Sequence, residues 1–224
     1  MTLTVHTISG APRGWRVLLG LAFKGLRWDV NYLQASRQDH KSPEFLKLNP
    51  RGTVPVLEAN GVVISDSIGC LAWLDRAYRE QPLFGETPDE AARIWQLTMQ
   101  ACDYLRDANH ELLSRVFSEN PPSPGAADYD ALKNGADAMH AECAWLENQL
   151  ANGSFLAGAR PGAADAVAYP EICLVERGVE TKPEIMASLG FEEPSSRYPR
   201  LEAWKAAVSA LPGVNNTLPP HWAA

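Results

Sequence analysis

The residues with the clearest potential for chemistry surround Pro55, which stands one residue into a run, 54–58, that otherwise predicts a central strand. Proline has no N–H to donate to a sheet ladder, so inside a strand it marks an edge or a special backbone site. Asn60-Gly61 and a second apolar run follow, and this pattern predicts a β-hairpin. The strand is therefore expected to form, and the backbone before Pro55 is expected to remain free to pair with an extended ligand.

Two charged segments flank this strand, Lys41 before it and Asp66-Ser67 after it. A helix that opens at Asp66-Ser67 presents free N–H groups, which attract an anion. Each segment also has an ordinary interpretation, because Asp66-Ser67 can simply cap a helix and Lys41 can be a solvated surface charge. With the hairpin proline between them, the two segments together favour a ligand-binding site.

The elements that must position these residues alternate over the first 80 positions. Period-two patterns predict strands at 3–8, 27–33, 54–58 and 62–65, and helical spacing predicts helices at 15–24, 43–48 and 66–78. The first two strands are expected to be parallel, since a helix connects them. This half of the chain, 1–80, is predicted to be an α/β domain.

After a short linker at 81–86 the strand signal disappears. Thr87-Pro88-Asp89-Glu90 is a helix-start signature, and it predicts a helix that runs to about 117. Further helices are predicted at 129–150, 163–177 and 198–210. Residues 87–224 are therefore predicted to form an all-helical domain, in which Asp165 caps its own helix and serves folding only.

Composition restricts the possible partners. The chain has 224 residues and a net charge of −7, which argues against nucleic acid or an anionic membrane as the main partner. No apolar run approaches the ~20 residues of a membrane span. The four cysteines are dispersed, with no Cys-x-x-Cys pair, which is typical of reduced thiols in a cytoplasmic protein. We expect no metal site.

Several segments, in order, resemble the cytosolic glutathione transferase family over essentially the whole chain. They are KSPEFLKLNP at 41–50, GTVPVL at 52–57, SDSI at 65–68, AAD at 163–165 and YPRLEAW at 198–204. The resemblance implies a thioredoxin-like α/β domain at 1–80, an all-α domain at 87–224 and a homodimer. It does not assign a class within the family.

The resemblance also implies where glutathione, the cosubstrate, is held. Its cysteinyl backbone would pair with Val54 as an added strand, beside a cis Pro55. Its γ-glutamyl carboxylate and ammonium suit Ser67 and Asp66 respectively, and its glycine carboxylate suits Lys41. The glutathione-binding set is Lys41, Thr53, Val54, Pro55, Asp66 and Ser67.

Activation of the glutathione thiol is where the sequence departs from the family pattern. The family places a hydroxyl or thiol after the first strand, and register with Arg16-Val17 puts Ala11 at that position. Two hypotheses remain open. Either the loop brings Ser9 into place, or backbone N–H groups of the helix start hold the thiolate while Arg13 adds positive charge.

The implied reaction is attack by the glutathione thiolate on an electrophilic, mostly apolar small molecule. The candidates for the second-substrate pocket are Trp15, Tyr104, Arg106 and His110, although core packing is the alternative fate of Trp15. The alternative function is a non-catalytic binding or protein-interaction module of the same fold, which Ala11 favours. A thiol-disulfide enzyme is disfavoured because 9–14 contains no cysteine.

Overall fold

A computed structural model describes residues 2–222 and shows a four-stranded mixed sheet in the order β2-β1-β3-β4. The strands are β1 (Leu3–Thr7), β2 (Asp29–Tyr32), β3 (Val56–Ala59) and β4 (Val62–Ser65). Strand β1 pairs in parallel with β2 and antiparallel with β3, and β3 forms a hairpin with β4. The predicted α/β sheet with a parallel first pair is confirmed.

The described residues also form ten α-helices. They are α1 (Pro12–Phe23), α2 (Pro43–Leu48), α3 (Ser67–Ala77), α4 (Pro88–Gln100), α5 (Arg106–Val116), α6 (Tyr129–Gln149), α7 (Ala163–Thr181), α8 (Pro183–Ser188), α9 (Pro194–Arg197) and α10 (Pro199–Ser209). Every strand precedes α3, so the predicted order of an α/β part and an all-helical part is confirmed. The boundaries at 80 and 87 remain a prediction.

Helix α1 lies between the two parts of the chain. Ten of its residues, from Gly14 to Phe23, are buried. It packs on the sheet and α3 on one side and on α7 on the other. Helix α7 is buried along most of its length, and its apolar residues join those of α1 in a single hydrophobic core. Helices α1 and α7 are therefore packed against each other within one core.

Three local predictions were wrong in position. Helix α1 begins at Pro12, because proline is well suited to the first helical position, whereas periodicity alone placed the start at 15. Strand β3 begins at Val56, so Val54 and Pro55 precede the ladder. The long helix predicted to reach 117 is interrupted by a π-helical turn, Ala101–Leu105, which separates α4 from α5.

Asp165 sits in the first turn of α7 and is completely buried. Its Oδ2 accepts a hydrogen bond from the Gly162 N–H at 2.9 Å. Its Oδ1 accepts from the Leu156 N–H at 2.9 Å and from Trp204 Nε1 at 2.7 Å. The carboxylate thus joins three separate segments, as well as capping its own helix.

The C-terminal segment folds back over the start of α1. Trp15 donates from Nε1 to Thr217 Oγ1 at 2.8 Å. Trp222 lies edge-on to Trp15, with ring centroids 5.3 Å apart, and contacts the Arg177 guanidinium. The tail tryptophan therefore packs where the two parts of the chain meet.

Other expectations from the sequence concern the cysteines, membrane-spanning segments and metal sites. All four cysteines are free, three of them buried and Cys102 partly exposed. Within residues 2–222 no helix combines the length and apolar character needed to cross a membrane. The described residues bring together no group of three or more His, Cys, Asp or Glu side chains suited to a metal ion.

Candidate functional site

The main cleft, of about 520 Å³, opens between the start of α1, the loop before β3, and helices α5 and α7. Its apolar lining comes from Ala11, Pro12, Val54, Leu113, Phe117 and Leu174. Its polar lining comes from Arg13, Arg106, Asn109, His110, Ser114 and Glu171. One wall thus belongs to the α/β part and the opposite wall to the helical part.

The backbone of Val54 is available at this cleft. The Val54–Pro55 peptide is cis, as the family resemblance implies. In the described part of the chain neither the N–H nor the C=O of Val54 has a hydrogen-bond partner. The preceding carbonyl, of Thr53, already accepts from the buried Asn49 Nδ2 at 2.7 Å. Asn49, which sequence reasoning did not single out, therefore holds in place the segment in which the described chain leaves the backbone N–H and C=O of Val54 unpaired.

Asp66 and Ser67 form the opening of α3, beside the β3–β4 hairpin. Asp66 has φ +84°, an unusual conformation for a residue other than glycine, and such conformations cluster at functional sites. Its Oδ1 caps α3 by accepting from the N–H groups of Ile68 and Gly69 at 2.9 and 3.2 Å. Within 2–222 its Oδ2 has no partner, so one oxygen caps the helix and the other remains free for a ligand.

Lys41 lies on the other side of the loop. Its Nζ donates to the carbonyls of Gly52 and Arg51, at 2.7 and 3.3 Å, and so braces the segment that leads to Val54. The neighbouring His40 has a buried Nδ1 that meets no partner among the described atoms. His40 was missed by sequence reasoning, since a lone histidine in a polar loop carries no pattern of its own.

The start of α1 lines the cleft through Ala11, Pro12 and Arg13. Ala11 occupies the N-cap position without a side-chain acceptor, and Pro12 has no N–H. The Arg13 N–H has no backbone acceptor in the described chain, so it is available at the positive end of the helix dipole.

Ser9 is placed differently from the other predicted catalytic residue. It does not line the main cleft, and its Oγ lies 2.6 Å from Nδ1 of His221 in the C-terminal tail. The next residue, Gly10, has φ +79°, and an added Cβ there would come within 2.8 Å of the His221 ring. The loop at Ser9 and Gly10 therefore packs directly against His221 of the C-terminal tail.

Helix α5 presents one continuous stripe to the cleft. The stripe consists of Arg106, Asn109, His110, Leu113, Ser114 and Phe117, at the three- and four-residue intervals of one helical face. Tyr104 is 65% exposed and lies outside this lining. It belongs to the π-helical turn that precedes α5, and such single turns are frequent at functional sites.

Trp15, the remaining candidate for the second-substrate pocket, is buried in the core and does not line the cleft. Core packing, the alternative for this residue, is what the structure shows. Of the four candidates, the structure brings Arg106 and His110 to the cleft and leaves Trp15 and Tyr104 elsewhere.

A buried ion pair forms the floor of the cleft. Arg16 of α1 donates from Nη2 to Glu171 Oε1 of α7 at 2.8 Å, and both side chains are nearly inaccessible. Burial raises the pKa of the Glu171 carboxyl, while the positive charges of Arg16, Arg106 and Arg13 oppose that rise. Sequence reasoning missed this pair, because it joins positions 155 residues apart.

Two family models and several known proteins match this chain in sequence. Residues 11–77 match the family model "Glutathione S-transferase, N-terminal domain" and residues 105–212 match "Glutathione S-transferase, C-terminal domain". Glutathione S-transferase A of Pleuronectes platessa is 26% identical over 220 residues, covering 96% of this chain and 90% of its own. FtsZ-localized protein A of Caulobacter vibrioides is 30% identical over 182 residues, covering 77% of each chain.

A solved structure gives the same architecture. The crystal structure of a glutathione S-transferase from the Antarctic clam Laternula elliptica aligns with a TM-score of 0.81 and 27% identity. The alignment covers all of this chain and 94% of the clam protein. The fold therefore matches along its whole length, including the helices that build the far wall of the cleft.

Proposed function

Because the chain belongs to the cytosolic glutathione transferase family, we propose that it binds glutathione and directs its thiolate at an electrophilic, mostly apolar small molecule. The observation that carries this proposal is that the free backbone of Val54 and the start of α1 line the same cleft. A peptide paired with Val54 as an added strand would bring its cysteinyl sulfur toward Arg13.

The two charged ends of glutathione have separate anchors in this proposal. The free Oδ2 of Asp66 takes the γ-glutamyl ammonium, while the hydroxyl and N–H of Ser67 take the neighbouring carboxylate. The glycine carboxylate pairs with Lys41, whose Nζ has a proton left after its two bonds to backbone carbonyls. His40 is an additional candidate there, because its buried Nδ1 is unused.

We assign activation of the thiol to the N-terminus of α1 together with Arg13, and not to Ser9. Positive potential from the free Arg13 N–H and from its guanidinium favours the thiolate over the thiol. The Ser9 hydroxyl has a different partner, His221 of the C-terminal tail. We therefore propose that the Ser9 hydroxyl holds the C-terminal tail in place. Activation of the glutathione thiol then requires no hydroxyl at position 11, where this chain has alanine.

We also propose that the protein is a homodimer, that it is cytoplasmic and that it has a detoxifying role. A homodimer is supported by partly exposed apolar residues on α4 and β4, among them Trp95, Met99 and Val62. A cytoplasmic setting and a detoxifying role fit the family and the free cysteines. No metal is needed, since the reaction uses the sulfur of glutathione as its nucleophile.

Substitutions at Ser9 and Arg13 test which residue activates the thiol. We expect Arg13→Met to lower kcat/KM for conjugation of 1-chloro-2,4-dinitrobenzene by about tenfold, which corresponds to one unit in the thiol pKa. We expect Ser9→Ala to leave the rate within about threefold, because its hydroxyl serves the tail only. Arg27→Met, at an exposed arginine of the same domain, is the matched control. A large loss in Ser9→Ala with none in Arg13→Met would reverse the assignment.

A further inference from the structure

The cleft wall on α5 carries positive charge that glutathione does not use. We propose that this protein selects electrophiles that carry a carboxylate beside an apolar reactive body, and that Arg106 binds that carboxylate with help from His110, one helical turn away. The proposal deepens the proposed function and rests on it. It assigns a specificity-determining role to residues of the second-substrate wall.

The charges that line the cleft are not balanced. Arg13 and Arg106 line it, whereas Glu171, the one acidic residue in its lining, is already neutralised by Arg16. Arg13 is assigned to the glutathione thiolate, so the positive charge of Arg106 remains for a second anion, in a chain whose net charge is −7. A local excess of positive charge in an acidic protein attracts anionic ligands and repels cationic ones.

The Arg106 guanidinium is available to pair with a ligand carboxylate. Its only acidic neighbour within 4 Å in the described chain is Asp107, at 3.7 Å, and that carboxylate is 77% exposed. An ion pair of this kind is weak, because solvent screens it. Arg106 itself is only about one-third exposed and lines the cleft, so solvent screens its charge less than that of a fully exposed arginine.

Arg106 lies on the stripe of α5 residues that lines the cleft, and this stripe has both polar and apolar side chains. His110 and Ser114 follow Arg106 at intervals of four on the same face of α5, and both line the cleft. Leu113 and Phe117 continue the same wall with apolar surface. One wall thus offers a charged end for a carboxylate and an apolar stretch for the rest of the molecule.

The carboxylates of glutathione do not account for this charge. In the proposed pose they are anchored at Lys41 and at Asp66-Ser67, and none of these residues lines the cleft. Arg13 lies beside the position proposed for the sulfur. Arg106, on the opposite wall, is left for the second substrate, and a guanidinium binds a carboxylate through two parallel hydrogen bonds.

A matched pair of electrophiles tests the proposal: 4-chloro-3,5-dinitrobenzoate and the neutral 4-chloro-3,5-dinitrobenzamide. After division by the uncatalysed rates, we expect kcat/KM to be higher for the acid by about tenfold or more, the usual effect of one charge-assisted hydrogen-bond pair. Arg106→Met should remove that preference and change the rate for the amide by less than about threefold. Arg115→Met, on α5 but outside the cleft lining, should leave both rates unchanged.

A binding measurement separates this inference from the proposed function. Unreactive 3,5-dinitrobenzoate and 3,5-dinitrobenzamide are titrated calorimetrically against the wild type and Arg106→Met. Tighter binding of the acid, lost in Arg106→Met and weakened by salt, supports the inference even if no conjugation occurs. Equal affinity for acid and amide, or an equal loss of both in Arg106→Met, overturns it even if conjugation is fast.

Discussion

Replacing Asp165 by alanine is expected to lower the free energy of unfolding by about 4 kcal/mol, because three buried donors lose their common acceptor. The donors are the N–H groups of Leu156 and Gly162 and Nε1 of Trp204. Burial raises the pKa of this carboxyl and the three hydrogen bonds partly offset that rise, which leaves the pKa at about 6, so the group is mostly ionised at neutral pH. Urea denaturation followed by tryptophan fluorescence measures the loss.

Two further variants show whether the acceptor is what matters at Asp165. Asp165→Asn retains the shape but turns an amide N–H toward one of the donors, so we expect it to lose less stability than alanine. Asp89→Ala, at an exposed acid in the first turn of α4, should change stability by less than about 0.5 kcal/mol. Equal stability of Asp165→Ala and Asp89→Ala would show that the buried network contributes little.

Replacing Asp66 by asparagine is expected to weaken glutathione binding by about tenfold or more while stability changes little. Asparagine tolerates the positive φ and retains an oxygen that can cap α3. It loses the charge that the γ-glutamyl ammonium requires, which is worth about 1.5–3 kcal/mol as a charge-assisted hydrogen bond. Calorimetric titration with glutathione gives the affinity, and thermal unfolding gives the stability.

Asp66→Ala separates the two roles of this carboxylate. It should lose both the ligand contact and the helix cap, so its unfolding free energy should fall by about 1 kcal/mol more than that of Asp66→Asn. Asp29→Asn, at an exposed acid on β2, is the control. If Asp66→Asn binds glutathione as tightly as the wild type, Asp66 is a helix cap only and the proposed pose is wrong at this end.

The sequence predicted the parts of the fold that short-range patterns determine. The hairpin turn, the capping residues of α3 and α4 and the alternating strands each follow from residues within a few positions of one another. The same local patterns, together with the family resemblance, predict Val54, Asp66 and Ser67 as glutathione-binding residues, and that role stays a prediction. The π-helical turn before Arg106 was not predictable, since the residues in it continue the helical periodicity.

The parts of the site that were not predicted depend on long-range contacts. Ser9 lies in the predicted loop, yet its hydroxyl meets His221, 212 positions away. Trp15 is drawn into the core because Thr217 and Trp222 fold back onto it. The Arg16–Glu171 pair likewise joins α1 to α7. No local spacing encodes such pairs, so their positions require the tertiary structure.

Titration of the bound glutathione thiol tests the central proposal most directly. The absorbance of the thiolate is followed against pH in the complex and in free glutathione. If the start of α1 and Arg13 activate the sulfur, the bound thiol should have a pKa at least about one unit below that of a free thiol, and Arg13→Met should return part of the shift. Binding with an unshifted pKa would contradict the transferase proposal, and failure to bind would contradict the site itself.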